Sequence, residues 1–269
     1  MTRKQPPAGL NSGAAKQDTL RNDTVRCDSL KSDTAELQYL LVGGGGHAAV
    51  VLETIRASGM IDPRGVLDAD PARHGTNFFG IPIVGGDDTW PERVRCGIRR
   101  FVSAIGSTAD TCLRRRVFER MVAQGGVGLT IRHPTAIVSP SATLGAGCQV
   151  LAGAIVNTAA SVGRNVLVNT GAIVEHDCRI GDHVHLATGC RLAGGVAVGE
   201  GTHVGIGATV IQGIRIGRDC VIAAGAVVIR DVADRSIVGG VPAVELAGRL
   251  HAARNRPALP RNVSFTLRA

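Results

Sequence analysis

NTGAIVEHDCRIGDHVHLATGC, residues 169–190, sets aliphatic side chains at Val174, Ile180 and Leu186, six residues apart. The beat runs on in both directions. Val, Leu or Ile occupies every sixth position from Val138 to Val228, sixteen times in succession. Four residues after each stands a second small or aliphatic side chain, from Ala142, Cys148 and Ala154 through Ala172, Cys178 and Val184 to Val232. Thr202 is the one polar member. A period of six fits neither the 3.6 of a helix nor the alternation of a strand. It is the hexapeptide repeat of a parallel β-helix. Each hexad supplies a short strand and a corner, and the aliphatic residue points into a narrow prism. Three hexads close one coil of 18 residues. Coils stack at roughly 4.8 Å, so a little over five of them make a rod of roughly 25 Å.

Upstream the texture is different. QYLLVG (38–43) reads as a buried strand, and GGGGHAAVVLETIRASG (43–59) as a glycine-rich turn opening a helix. RGVLDAD (64–70), GIPIVGG (80–86) and RRFVSAIGS (99–107) read as further strands. TADTCLRRRVFERMVAQGG (108–126) reads as a helix with Thr108 or Asp110 as cap. Strand–helix alternation predicts a small parallel α/β domain. The expected organisation is a disordered polar extension over 1–37, a Rossmann-like domain over 38–132, the β-helix over 133–233 and a C-terminal cap and tail over 234–269.

GGGGHA at 43–48 satisfies G-x-G-x-x-A between a strand and a helix, and Asp68 closes the next strand. Bare amides at a helix N-terminus hold phosphate. Too few residues precede 132 for a full nicotinamide-binding fold, so a smaller nucleotide ligand is expected there.

Composition narrows the classes. Aromatics make up 3% of the chain, so the core is built from Val, Ile, Leu and Ala. The formal net charge of +8 suits an anionic partner. No interleaving of aromatic and basic residues speaks for nucleic acid, and no apolar run is long enough for a membrane helix. The N-terminus lacks an apolar secretory segment, so a cytoplasmic address is expected. Cys148, Cys178, Cys190 and Cys220 share one position of the hexad and read as small core residues.

The glycine loop, GVLDAD, FVSAIGS, the hexad array with VEHDCRIGDHVH, and SIVGGVPA (236–243) together resemble one branch of the hexapeptide-repeat acyltransferases. It is the sialic acid O-acetyltransferase and UDP-4-amino-sugar N-acetyltransferase (NeuD/PglD-like) family, and the likeness covers about residues 38–247. The resemblance implies a mainly β fold, a left-handed parallel β-helix preceded by a small Rossmann-like α/β domain. It implies an acetyltransferase with acetyl-CoA as co-substrate and no metal, acting on an amino or hydroxyl group of a free or nucleotide-linked sugar in surface glycan synthesis. It also implies a homotrimer with sites between neighbouring rods. The other readings weighed are a non-catalytic β-helix scaffold and a transferase of another acyl group.

Residue by residue, the resemblance makes His176 the general base, a role that imidazole suits near neutral pH. Asp177 would raise its proton affinity, with Glu175 as the other candidate. In an extended strand both acids would point away from His176, so a corner is required. Gly45, Gly46, His47, Asp68, Gly106 and Asn169 match substrate positions. His185, Gly194, Ile206 and Ala224 match cofactor positions, expected to form a groove down successive coils, with Arg215, Arg218, Arg230 and Arg235 near the cofactor's phosphates. Ala69 stands where a second acid is found in the family. His183 and His185 form H-x-H, which on one strand would share a face.

Overall fold

A computed structural model describes residues 38–246; the expected disordered extension over 1–37 and the tail beyond 246 lie outside the described residues. The front domain contains β1 (Tyr39–Val42), α1 (Gly46–Ala57), β2 (Val66–Leu67), β3 (Asn77–Phe78), β4 (Ile81–Gly85), α2 (Trp90–Arg95), β5 (Arg100–Ser103), α3 (Cys112–Ala123) and β6 (Val127–Gly128). The sheet order is β3-β4-β2-β1-β5-β6, parallel throughout except for the β3–β4 hairpin. The order reverses at β1, whose neighbours are β2 and β5. That reversal opens a crevice beyond the carboxyl ends of the central strands. Gly43, at φ +103°, makes the turn out of β1 that a side chain would resist. The sequence pattern missed α2, the β3–β4 hairpin and β6, all short. Thr111, rather than Thr108 or Asp110, is the N-cap of α3, and its hydroxyl donates to Gly201 O at 2.7 Å instead of capping the helix.

From Ile131 the chain winds into three parallel sheets of two-residue strands. The first face stacks Ile131–Arg132, Gln149–Val150, Leu167–Val168, His185–Leu186, His203–Val204 and Val221–Ile222. The second runs from Ile137–Val138 through Ile173–Val174 to Val227–Val228, and the third from Thr143–Leu144 to Arg215–Ile216. Partners lie 18 residues apart, as Leu167↔His185 and Val150↔Val168 show. The hexad aliphatics and the residues four further on form one continuous core, buried from Cys148 to Val232. The four hexad cysteines belong to it.

The rod begins at Ile131, two residues before the boundary that the hexads suggest, because Ile131 packs into the front-domain core instead of the prism. It also runs past 233: Ile237–Gly239 extends the first face, pairing Val221↔Ile237 after a coil two residues short, and Val244–Glu245 folds back antiparallel on it.

The corners follow a second beat. Positive φ recurs every six residues from 147 to 225. Glycine fills nine of these places, while Ala159, Asn165, Asp177, His183 and Asp219 occupy the others. An L residue with a side chain is disfavoured there, so these exceptions mark positions where the side chain matters.

Helix α3 fastens the front domain to the rod along several consecutive coils. Arg114 Nη1 donates to Asn165 O at 2.5 Å. His183 Nε2 meets Glu119 Oε1 at 2.9 Å, and Arg115 meets Glu200 at 2.7 Å and Asp219 at 3.7 Å.

Candidate active site

His176 follows the second-face strand Ile173–Val174 and sits at the corner leading to the third face. Asp177 is the left-handed residue of that corner, with φ +60°. The turn brings its carboxylate round to the imidazole, and Nδ1 lies 2.8 Å from Oδ2. The corner that strand geometry demanded is therefore present, and it selects Asp177. Glu175 is engaged elsewhere: its Oε2 accepts from Asn157 Nδ2 at 3.0 Å, one coil below. The hydrogen bond to Asp177 is the main cause holding the His176 pKa above its ordinary 6.5, with the charges of Asp177 and Glu175 adding to it. Both side chains are well exposed, 61% and 67%.

One coil above, Gly194 leaves the space that the imidazole uses. A Cβ there would lie 2.5 Å from both Cε1 and Nε2 of His176. Gly194 thus adjoins the base itself. Ile206 and Ala224 stack one coil apart on a different corner, between the first and second faces, and both are exposed. The second face separates them from His176.

His185 departs from the expected groove. It lies on the first face beneath the front domain and is 4% exposed. Its Nδ1 is 2.7 Å from Ser107 Oγ and its Nε2 is 3.3 Å from Asn169 Nδ2. Burial, then His203, pushes its pKa down to about 2. His183 does not share its face: it occupies a left-handed corner at φ +62°. The two-residue strand is too short to carry H-x-H. Among the described residues no group of three or more His, Cys, Asp and Glu side chains can hold a metal.

The remaining substrate candidates converge. Gly45, Gly46, His47, Asp68 and Gly106 line one cavity of about 760 Å³ at the switch point of the front sheet. Asn169 lies outside its lining, joined to it through His185 and Ser107. His47 hydrogen-bonds Gln149 at 3.0 Å, across to the rod, and burial holds its pKa below the usual value. Asp68 is ion-paired to Arg73, whose Nη1 also donates to Gly44 O at 2.8 Å. Arg73 was not singled out from the sequence; it follows Asp68 by five residues on a single 3₁₀ turn and carries no periodic signal. Ala69 also faces the cavity. The exposed arginines are spread over the upper coils: Arg215 on the third face, Arg218 and Arg235 on the following corner, and Arg230 on the corner that carries His176 lower down.

Comparison with known proteins locates both halves. Residues 38–121 match the PglD N-terminal domain, and residues 159–194 match the bacterial transferase hexapeptide repeat. A histidine-to-alanine variant of GDP-perosamine N-acetyltransferase from Caulobacter crescentus, in complex with CoA and GDP-perosamine, is 40% identical. The match covers 78% of this chain and 96% of that one, with a TM-score of 0.72. The acetyltransferase domain of PglB from Neisseria gonorrhoeae, in complex with acetyl coenzyme A, is 32% identical over 78% of this chain and 100% of that one, TM-score 0.69. WeeI from Acinetobacter baumannii shares the fold at 20% identity over 77% and 99% of the two chains, TM-score 0.64. No curated protein sequence matches.

Proposed function

We propose, for a chain that belongs to the PglD-like family of hexapeptide-repeat sugar acetyltransferases, an acetyl transfer to the amino group of a nucleotide-linked sugar. The chain is an acetyl-CoA-dependent acetyltransferase. What is proposed is the acceptor, the residues and the assembly.

The observation that carries the assignment is the His176–Asp177 pair, held at 2.8 Å on an exposed corner beneath a glycine that makes room for the ring. With Nδ1–H donated to Asp177, Nε2 is the basic nitrogen and faces outward. It takes a proton from the acceptor nitrogen as that nitrogen attacks the thioester carbonyl. Asp177 then stabilises the imidazolium, which the raised pKa expresses. Acetyl-CoA supplies the activated acyl group. Ile206 and Ala224, exposed and in register, offer an apolar strip for its pantetheine arm. The glycine loop at the N-terminus of α1 offers amides to the nucleotide diphosphate. An amine acceptor is favoured over a hydroxyl because relatives 40% and 32% identical are sugar N-acetyltransferases or acetyltransferase domains of this family.

Within one chain the base and the nucleotide pocket are on different sides of the rod. The pocket lies above the first face, and His176 lies beyond the second. A neighbouring rod resolves this, and we propose a homotrimer in which the base of one chain serves the pocket of the next. Ile137, Ile155 and Ile173 stack in register outward on the second face and give it an apolar contact strip. A cytoplasmic location belongs to the same reading and is checked by fractionation.

The test is acetyl transfer from acetyl-CoA to UDP- and GDP-linked 4-amino sugars. Wild type is expected to turn one over, and His176→Ala to lose roughly 10²–10⁴-fold in kcat while still binding coenzyme A. Normal turnover by that variant would remove His176 as the base.

A further inference from the structure

The pocket wall carries a hydroxyl that the sequence did not single out. Ser107 stands between Gly106 and Thr108, both of which line the cavity. Gly106 backs onto the start of α1: a Cβ there would lie 3.1 Å from His47 Cβ. The loop after β5 is therefore pressed against the helix N-terminus, where amides without helical partners hold a diphosphate.

A chain of hydrogen bonds fixes the direction in which Ser107 is used. Asn169 Oδ1 accepts the Thr170 N–H at 2.8 Å, which settles which end of the amide is oxygen. Nδ2 then donates to His185 Nε2 at 3.3 Å. A nitrogen that accepts carries no proton, so the neutral imidazole bears its hydrogen on Nδ1. Nδ1–H is directed at Ser107 Oγ, 2.7 Å away. The serine oxygen accepts, and its own hydrogen is left to donate elsewhere. The scheme requires a neutral ring, since an imidazolium would leave Asn169 Nδ2 facing a donor. Burial keeps His185 neutral, and the neighbouring His203, Arg114 and His47 act in the same direction.

We propose that Ser107 contacts the substrate, donating its hydroxyl hydrogen to a diphosphate oxygen of the nucleotide sugar, and that His185 and Asn169 are the positioning residues that aim it. This rests on the switch-point cavity being the nucleotide-sugar site. It gives His185 a part in acceptor binding, where the family resemblance assigns it to the cofactor.

The test is calorimetric titration of the full chain with GDP, UDP and dTDP, and separately with coenzyme A. Wild type is expected to bind at least one of the three nucleotides. Ser107→Ala is expected to weaken that nucleotide about tenfold or more, as for a hydrogen bond to a charged group, with coenzyme A affinity unchanged and Ser107→Thr restoring most of the loss. His185→Leu should weaken the same nucleotide, and the double variant should be no worse than the weaker single, because both changes break one chain. Wild type binding none of the nucleotides would overturn the pocket reading itself. Wild type binding normally while Ser107→Ala binds within twofold would overturn the present proposal alone. His185→Leu weakening coenzyme A and sparing the nucleotide would overturn the positioning role.

Discussion

Gly194→Ala separates the catalytic reading from the structural one. Gly194 is not among the left-handed corner residues, so alanine suits its backbone. The new methyl would lie 2.5 Å from Cε1 and Nε2 of His176, against about 3.4 Å for an ordinary contact. The neighbour in its way is the far end of an exposed side chain, so the ring gives and the rod does not. The imidazole must retreat by roughly 1 Å, enough to stretch or break the 2.8 Å hydrogen bond to Asp177. A displacement of about 1 Å at a reacting group costs on the order of 10²-fold. The expected outcome is kcat reduced about 100-fold, with the thermal midpoint and coenzyme A affinity close to wild type. Steady-state kinetics with acetyl-CoA as the varied substrate, beside a melting curve, measures all three. Full kcat would show that the ring's position is irrelevant. A raised KM for acetyl-CoA at unchanged kcat would make Gly194 a cofactor contact only.

Other outcomes follow from the same geometry. The base works in its neutral form, so kcat/KM should rise with pH through a value above 6.5. Removing the carboxylate destabilises the imidazolium, so Asp177→Asn should move that limb to lower pH; a pH–rate profile with the limb unmoved or raised contradicts the pairing. Leu186→Ala, at a core position with 0% exposure, should cost about 3 kcal/mol and lower the melting temperature by roughly 10 °C. A melt unchanged by that variant would deny the prism its packed interior. Ile155→Arg, on the aliphatic strip of the second face, should shift sedimentation from trimer toward monomer and cut turnover with it; a monomer of full activity would refute sites shared between chains.

The rod was legible because its core obeys a local rule. Every sixth side chain must fill a narrow prism, and the composition can be read for that without tertiary knowledge. The glycine loop was legible for a similar reason, since a tight turn into a helix has few spellings. The choice between Glu175 and Asp177 was not, because it depends on the backbone angle at residue 177. The corner beat held the clue: aspartate stands there where glycine would be easier. His183 misled through the same gap, since H-x-H was read as strand when His183 is a corner residue. The burial of His185 comes from the front domain lying across the first face. No window of local sequence encodes a contact such as Ser107 to His185, 78 residues apart.

Helix α3 grips the rod from Asn165 to Asp219, and the base at residue 176 lies inside that span. The middle of the rod therefore works as a gauge block, with its dimension set in whole coils. An extra coil inserted between His183 and Gly201 would push the upper anchors about 4.8 Å out of reach of Thr111 and Arg115. The same insertion after Val228 would lengthen the molecule and leave that spacing as it is. Descendants of this architecture are free to grow or shrink at the tip, while any change of coil number at the waist must be matched by a new helix.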